Sequence, residues 1–154
     1  MDRLIYDINL HLTYRIARLQ ARLSAQAADI LRTHSNISLS EWRIIAVLSD
    51  DNINSQKDVL RAMGLDKGQI SRNLKSLASM NLISLSTSDT DQRLQNISLT
   101  PQGHKLVAQL SPIMLTRQKH LQQDFNEDDL TLLFDLLSRL EQRTGSIEEL
   151  SERK

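Results

Sequence analysis

Residues 55–103 constrain this chain more than any other part: SQKDVLRAMGLDKGQISRNLKSLASMNLISLSTSDTDQRLQNISLTPQG. Ser55 is placed to cap a short helix holding Val59, Leu60 and Met63, and Gly64 stops it, because glycine takes the left-handed geometry of a helix end at little cost. Asp66-Lys67-Gly68-Gln69 has the spacing of a capping box and opens a second helix. Ile70, Leu74 and Leu77 form its apolar stripe, which leaves Gln69, Ser71, Arg72, Lys75 and Ser76 elsewhere around it. Asn81 is the expected left-handed end. Ile83, Leu85 and Thr87 then alternate with serines, and Ile97 and Leu99 alternate with Asn96 and Ser98, a period of two that predicts two half-buried strands. Asp89-Thr90-Asp91-Gln92-Arg93 is the polar turn between them. Helix, glycine turn and capped polar helix describe a helix-turn-helix. The hairpin behind it makes the unit a winged helix, an order that can set one helix into a DNA major groove with a second probe beside it.

The flanks are helical. Ile5, Ile8, Leu12, Ile16, Leu19, Leu23 and Ile30 recur mostly three and four apart, so a long amphipathic helix is expected over 3–34. Its stripe is longer than a small domain can cover, so it packs against its own chain or against a second chain as well. Ser38-Leu39-Ser40-Glu41 fits a capping box for the next helix, which holds Trp42, Ile45, Ala46 and Leu48 and ends near Asp50. Thr100-Pro101 opens a fifth helix, with Thr as cap and Pro at the first helical position. Asn126 caps a last one carrying Leu130, Leu133, Phe134, Leu137 and Leu140, and Gly145 ends it. The predicted fold is mainly α with a small β-wing. It is read as one domain over 1–145, with a winged helix-turn-helix core at about 38–100, flanking helices at about 3–34 and 101–145, and a polar tail at 146–154.

Composition narrows the function. The 154 residues include no cysteine, which excludes disulfides, thiol nucleophiles and thiolate metal sites. No apolar run approaches the roughly 20 residues of a membrane span, and the N-terminus lacks the pattern of a signal peptide. A soluble, cytoplasmic protein without a membrane partner is expected. His11, His34, His104 and His120 are dispersed and sit in no catalytic motif, so neither an enzyme nor a cofactor or metal site is predicted. Formal net charge is zero, but the charges are segregated: Lys67, Arg72 and Lys75 occur without an acid between 67 and 80, whereas 124–152 is rich in Asp and Glu. A neutral total can hide a basic face opposed by an acidic one.

SEWRIIAVL, QKDVLRAMGLDKGQISRNLKSLASMNLI, the D-x-R turn Asp91-Gln92-Arg93 and the run Ile97-Ser98-Leu99-Thr100-Pro101-Gln102-Gly103 resemble the MarR family of bacterial transcription regulators. The D-x-R turn followed six residues after its Arg by Leu-Thr-x-x-Gly is the most specific part. The likeness covers roughly 5–145 in element order and is strongest over 38–104. It implies a homodimer in which the first helix and the last two form the dimerisation domain. Recognition helices would enter successive major grooves of double-stranded DNA, at half-sites about one helical turn apart, with wings at the flanking minor grooves. Family members are commonly repressors released by small organic effectors, often aromatic acids; others activate, and some respond to metals or oxidants.

On that resemblance Gln69 and Arg72 are the candidates for base contacts, because Gln suits adenine and Arg suits guanine by bidentate hydrogen bonding. Lys67, Ser71 and Lys75 are assigned to phosphates, which position without specifying. The backbone at Ser55 and Gln56 has N–H groups to offer a phosphate. Arg93 corresponds to the wing-tip arginine that enters a narrow minor groove, and Asp91 orients an arginine. An effector pocket is expected between the dimerisation helices and the winged helix, with Tyr14 and Trp42 as its candidates. Without the wing, Arg72 and Lys75 would read as ordinary solvated charges; Gln69 has its capping box, and Arg93 has Asp89 and Asp91, as competing partners. The chain departs from the family at Ala78, where Glu is common, at Asn81 in place of Gly, and at Ser84-Leu85-Ser86-Thr87, where basic residues are usual. Fewer ionic contacts and a shallow salt dependence follow. The remaining alternatives are a winged helix that only binds protein, tested by whether it shifts DNA at all, and a metal-responsive regulator in which His104 meets His11 or His120.

Overall fold

The computed structural model describes residues 7–50, 52–63, 66–87 and 95–144. They fall into two compact units, one ending at Pro112 and the other beginning at Ile113. The first unit holds α1 (Leu12–His34), α2 (Leu39–Val47), α3 (Gln56–Met63), α4 (Lys67–Ser79), β1 (Ile83–Thr87), β2 (Gln95–Leu99) and the start of α5 (Pro101–Gln122). The second holds the rest of α5 and α6 (Glu127–Thr144). The fold is mainly α with one small antiparallel sheet, as the periodicities predict.

The first helix is shorter than its apolar spacing suggests. Asp7 accepts the Asn9 backbone N–H at 2.9 Å and its side-chain amide at 3.1 Å. This local bonding competes with helix propagation, and a 3-10 turn forms at Ile8–Leu10 instead. His11 is extended, and α1 starts only at Leu12. Only Ala27 and Leu31 of α1 are buried, whereas Leu12, Ile16 and Leu19 are 42–56% exposed. The stripe is therefore covered by its own unit at the C-terminal end alone.

The caps form where the sequence places them. Ser38 accepts the Glu41 N–H at 3.3 Å, and Glu41 Oε2 accepts the Ser38 N–H at 2.7 Å, a complete capping box. α2 stops at Val47, short of Asp50. Ser55 Oγ accepts the Asp58 N–H at 3.2 Å and donates to Asp58 Oδ2 at 2.6 Å. Asp66 accepts the Gln69 N–H at 3.0 Å. Asn81 has φ 56°, the Leu82 N–H reaches Leu77 O at 3.0 Å, and the Asn81 N–H reaches Ala78 O at 2.9 Å, so α4 ends in a Schellman motif with Asn in the glycine role. Asn126 and Asp129 cap α6 reciprocally, at 2.8 and 3.1 Å. Gly64 and Gly145, the two expected glycine stops, lie outside the described residues.

β1 and β2 pair in the register Ile83↔Leu99, Leu85↔Ile97 and Thr87↔Gln95. Ile83 and Ile97 face the core at 3% and 2% exposure. Asn54 and the capping Ser55 also join the sheet edge, which the sequence does not signal: Ser55 bridges Asn96, and the Ile97 N–H reaches Asn54 O at 2.7 Å. The most fully buried large side chains of this unit are Leu31, Ile44, Ile45, Val59, Ile70, Leu77, Ile97 and Leu110, one or two from each of α1, α2, α3, α4, β2 and α5.

The Thr100-Pro101-Gln102-Gly103 run is the joint that returns the chain from the wing to α5. The Thr100 N–H donates to Leu82 O at 3.1 Å, and its hydroxyl donates to Asn81 O at 2.6 Å while accepting the Gly103 N–H at 3.0 Å. A Cβ on Gly103 would lie 2.1 Å from Leu82 O and 3.3 Å from Leu99 Cδ2. Only glycine lets α5 approach the end of α4 this closely. Gly103→Ala must push backbone apart and is expected to cost about 3 kcal/mol or more, the upper end of overpacking penalties. Chemical denaturation of the variant measures it, and a loss within experimental error would rule out the close-approach argument.

Candidate nucleic-acid interface

α4 turns one face inward and one outward. Ile70, Leu74 and Leu77 are at most 3% exposed, while Lys67, Arg72 and Lys75 are exposed and Gln69 and Ser71 are half-buried. None of the three cations forms an ion pair with a described residue, and no acid lies between 67 and 80. Arg72 and Lys75 share one ridge, and unpaired cations keep their full attraction for an outside anion, whereas a paired cation must first give up its partner.

Ser55 and Gln56 stand at the start of α3, but the Ser55 hydroxyl is committed to Asp58 and its backbone to the sheet bridge. Asp58, in the first turn, also pairs with Arg61 at 3.3 Å. That carboxylate already occupies the positive end of α3, so this terminus has less to offer a phosphate than its position suggests. Asp91 and Arg93 lie outside the described residues. The outer face of the wing base is neutral: Ser84 and Ser98 share a 2.7 Å hydroxyl contact across the strands, with Ser86 and Asn96 exposed beside them.

The link from α4 to the rest of its unit that the sequence does not reveal is Glu41. It is 8% exposed and held by Ser38, and Ser76 of α4 lies near enough to favour the charged form of the same carboxylate. The capping-box motif finds Glu41, but its approach to Ser76 is a tertiary fact with no local signature. Burial by itself would raise the Glu41 carboxyl, but the Ser76 hydroxyl and the backbone and hydroxyl of Ser38 outweigh it and hold the group below its ordinary 4.5.

Tyr14 is 37% exposed on α1. Trp42 is a core residue whose edge lines a cleft of about 340 Å³ with Arg43, Ala46 and Met63. A larger one, about 600 Å³, lies where the α1–α2 connection meets the end of α4 and the first turns of α5; Ile37, Leu82 and Leu106 supply its apolar wall, and Gln102, Lys105 and Gln109 its polar one. His104 is exposed on α5, and among the described residues no three His, Asp or Glu side chains converge as metal ligands. No helix of the described residues is long and apolar enough to cross a membrane.

Comparison with known proteins agrees with this geometry. A family model described as MarR family matches residues 35–94. The fold superposes on a MarR/EmrR family transcriptional regulator from Acinetobacter sp. ADP1 with TM-score 0.85 and 30% identity, covering 92% of this chain and 99% of that one. The DNA complex of S. aureus MepR is similar at TM-score 0.79 and 20% identity, covering 87% of this chain and 98% of that chain. The Streptomyces coelicolor regulator PcaV, in complex with its natural ligand, gives 0.76 and 19%, over 92% and 98%. The last two likenesses are of fold.

Glu41 supports a pH prediction. Its folded-state pKa lies below that of the unfolded chain, so the stabilisation is complete above the unfolded value near 4.5 and is lost as pH falls through the folded value. Glu41→Gln should lower the melting temperature at neutral pH and flatten its decline on the acid side of that value. Parallel melting curves that fall equally steeply for both proteins would exclude this role.

Proposed function

The chain belongs to the MarR family of transcription regulators, and we propose that it works as a cytoplasmic homodimeric repressor that reads a pseudo-palindromic operator and is released by a small organic effector. It is a DNA-binding regulator and not an enzyme. The observation that carries the operator reading is the outward ridge of α4, where Arg72 and Lys75 stand opposite a buried Ile70-Leu74-Leu77 stripe, with Lys67 exposed at the helix start and none of the three paired with a described residue. Arg72 and Gln69 are assigned to base edges, and Lys67, Ser71 and Lys75 to phosphates. Arg93, oriented by Asp91, is assigned to the minor groove, and the Ser55–Gln56 backbone to a further, weaker phosphate contact.

Selection of duplexes from a random pool by the purified protein tests the reading. On the selected duplex Arg72→Ala should weaken binding by about 1–3 kcal/mol and relax base preference at one position of each half-site. Lys75→Ala should weaken selected and random DNA alike and lower the slope of log K against log salt by about one. A protein that enriches no sequence, or variants that bind as wild type, would defeat the assignment.

The homodimer is supported by apolar surface left uncovered within each unit. α6 has no buried residue, and Leu132, Leu133, Phe134, Leu136 and Leu137 are each 39–57% exposed. A helix of this length is marginal alone in water, so its apolar face needs a partner. Residues 1–145 then act as one domain whose flanking helices, about 3–34 and 101–145, carry dimerisation. Leu133→Glu with Leu137→Glu should shift the sedimenting species to monomer, with DNA affinity falling too; a dimer that persists would place the interface elsewhere.

The effector is assigned to the cleft beside Lys105, where one ammonium at an apolar wall suits a small organic acid. It releases DNA by binding more tightly to a spacing of recognition helices that does not fit the operator.

A further inference from the structure

Two helical glycines lie among the described residues, and the fold explains only one of them. Gly103 is forced, because a Cβ there would strike the Leu82 carbonyl. Gly68, the second residue of α4, is different: it has no left-handed φ, and a Cβ there would meet only the ends of flexible side chains, Asp66 Oδ2 at 3.0 Å and Arg72 Nη1 at 3.7 Å. Glycine is the poorest helix former after proline. α4 thus carries a weakening residue at an exposed position that no backbone neighbour demands.

The position of Gly68 gives the reason. At 100° per residue, Gly68, Arg72 and Lys75 fall on one line along the helix, opposite the buried Ile70, Leu74 and Leu77. The 3.7 Å approach of the Arg72 guanidinium to the Gly68 Cβ position agrees with this line. Any duplex that meets Arg72 and Lys75 also meets Gly68. Glycine in such a place allows another backbone closer approach than any side chain would.

We infer that Gly68 is a specificity-determining residue: the missing Cβ lets α4 sit deep enough in the major groove for Arg72 to reach base edges. The inference rests on the reading of α4 as the recognition helix. A methyl group at position 68 would stand between the helix and the groove and hold the guanidinium back from the bases, while phosphate contacts by the flexible lysines, which need no fixed depth in the groove, would persist. The cost therefore falls on specific binding rather than on binding to DNA in general.

The full-length Gly68→Ala protein tests this on the duplex selected by wild type and on a random duplex of equal length. The expected result is a loss of about tenfold or more on the selected duplex, under about threefold on the random one, with a melting temperature unchanged or raised by up to about 4 °C. Opposite movement of stability and specific affinity is something a purely structural glycine does not give. Wild-type affinity in the variant overturns the inference. So does an affinity loss that comes with a lowered melting temperature, because the glycine then serves the Asp66 cap, whose carboxylate would have to yield to the methyl. A wild type that selects no sequence overturns the DNA reading itself, so the two failures are distinguishable.

Discussion

The contact between Gly103 and the Leu82 carbonyl governs the first unit. It sits where three elements converge: the end of α4, the base of the wing and the start of α5. Thr100 ties all three with its N–H and its hydroxyl, and the left-handed Asn81 turns the Leu77 and Ala78 carbonyls into acceptors at the same point. The joint uses backbone groups almost throughout, so its geometry is set by short, directional bonds rather than by side-chain packing. α4 and the base of the wing thereby hold a fixed relation, as the proposed reading of one groove by α4 and of its neighbour by the wing requires.

How much of this was legible follows from the range of each signal. Caps at Ser38, Ser55, Asp66 and Asn126 are local, three residues wide, and each formed as its residue types predict. The alternation of Ile83, Leu85, Ile97 and Leu99 likewise fixed the strand faces. The Thr-Pro-x-Gly run was recognisable as a motif, yet its reason was not, since nothing in the sequence states that Leu82 lies against Gly103. Long-range facts failed in the same way. The edge pairing of Ser55 with Asn96 and the placing of Glu41 beside Ser76 depend on tertiary contact. The start of α1 was misjudged because the apolar spacing of Ile5 and Ile8 outweighed the short-range Asp7–Asn9 bonds that break the helix. Among the site residues, exposure of Lys67, Arg72 and Lys75 followed from the stripe opposite them. The commitment of Ser55 to Asp58 did not, because a capping serine and a phosphate-binding serine look alike in sequence.

The distribution of charge explains how a chain of zero net charge can address a polyanion. Lys67, Arg72 and Lys75 have no carboxylate within their helix, while Asp58 of α3 and Asp129 and Asp135 of α6 are engaged in caps and pairs: Asp58 with Ser55 and Arg61, Asp129 with Asn126, Asp135 with Arg139. An acid tied to a helix N-terminus or to a cation projects little field at a distance comparable to the Debye length. The electrostatic footprint that reaches DNA is thus more basic than the total suggests, though small, because the wing base contributes hydroxyls in place of cations.

A small footprint makes the uncovered apolar faces matter to DNA binding. On the proposed reading α4 brings only Lys67, Arg72 and Lys75 to the DNA, so each half makes few phosphate contacts, and the salt-dependent term scales with their number. In the proposed homodimer the second half-site is bound by a unit already tethered, at an effective concentration of order millimolar for a linkage of the right span. Most of the affinity then comes from holding two weak readers at one spacing. A regulator built this way does not need its effector to touch α4 or to compete with DNA. Altering the spacing is enough, and the fewer ionic contacts each half makes, the smaller the differential affinity the effector must supply. On the proposed reading, the neutral wing base would make such a regulator easy to release.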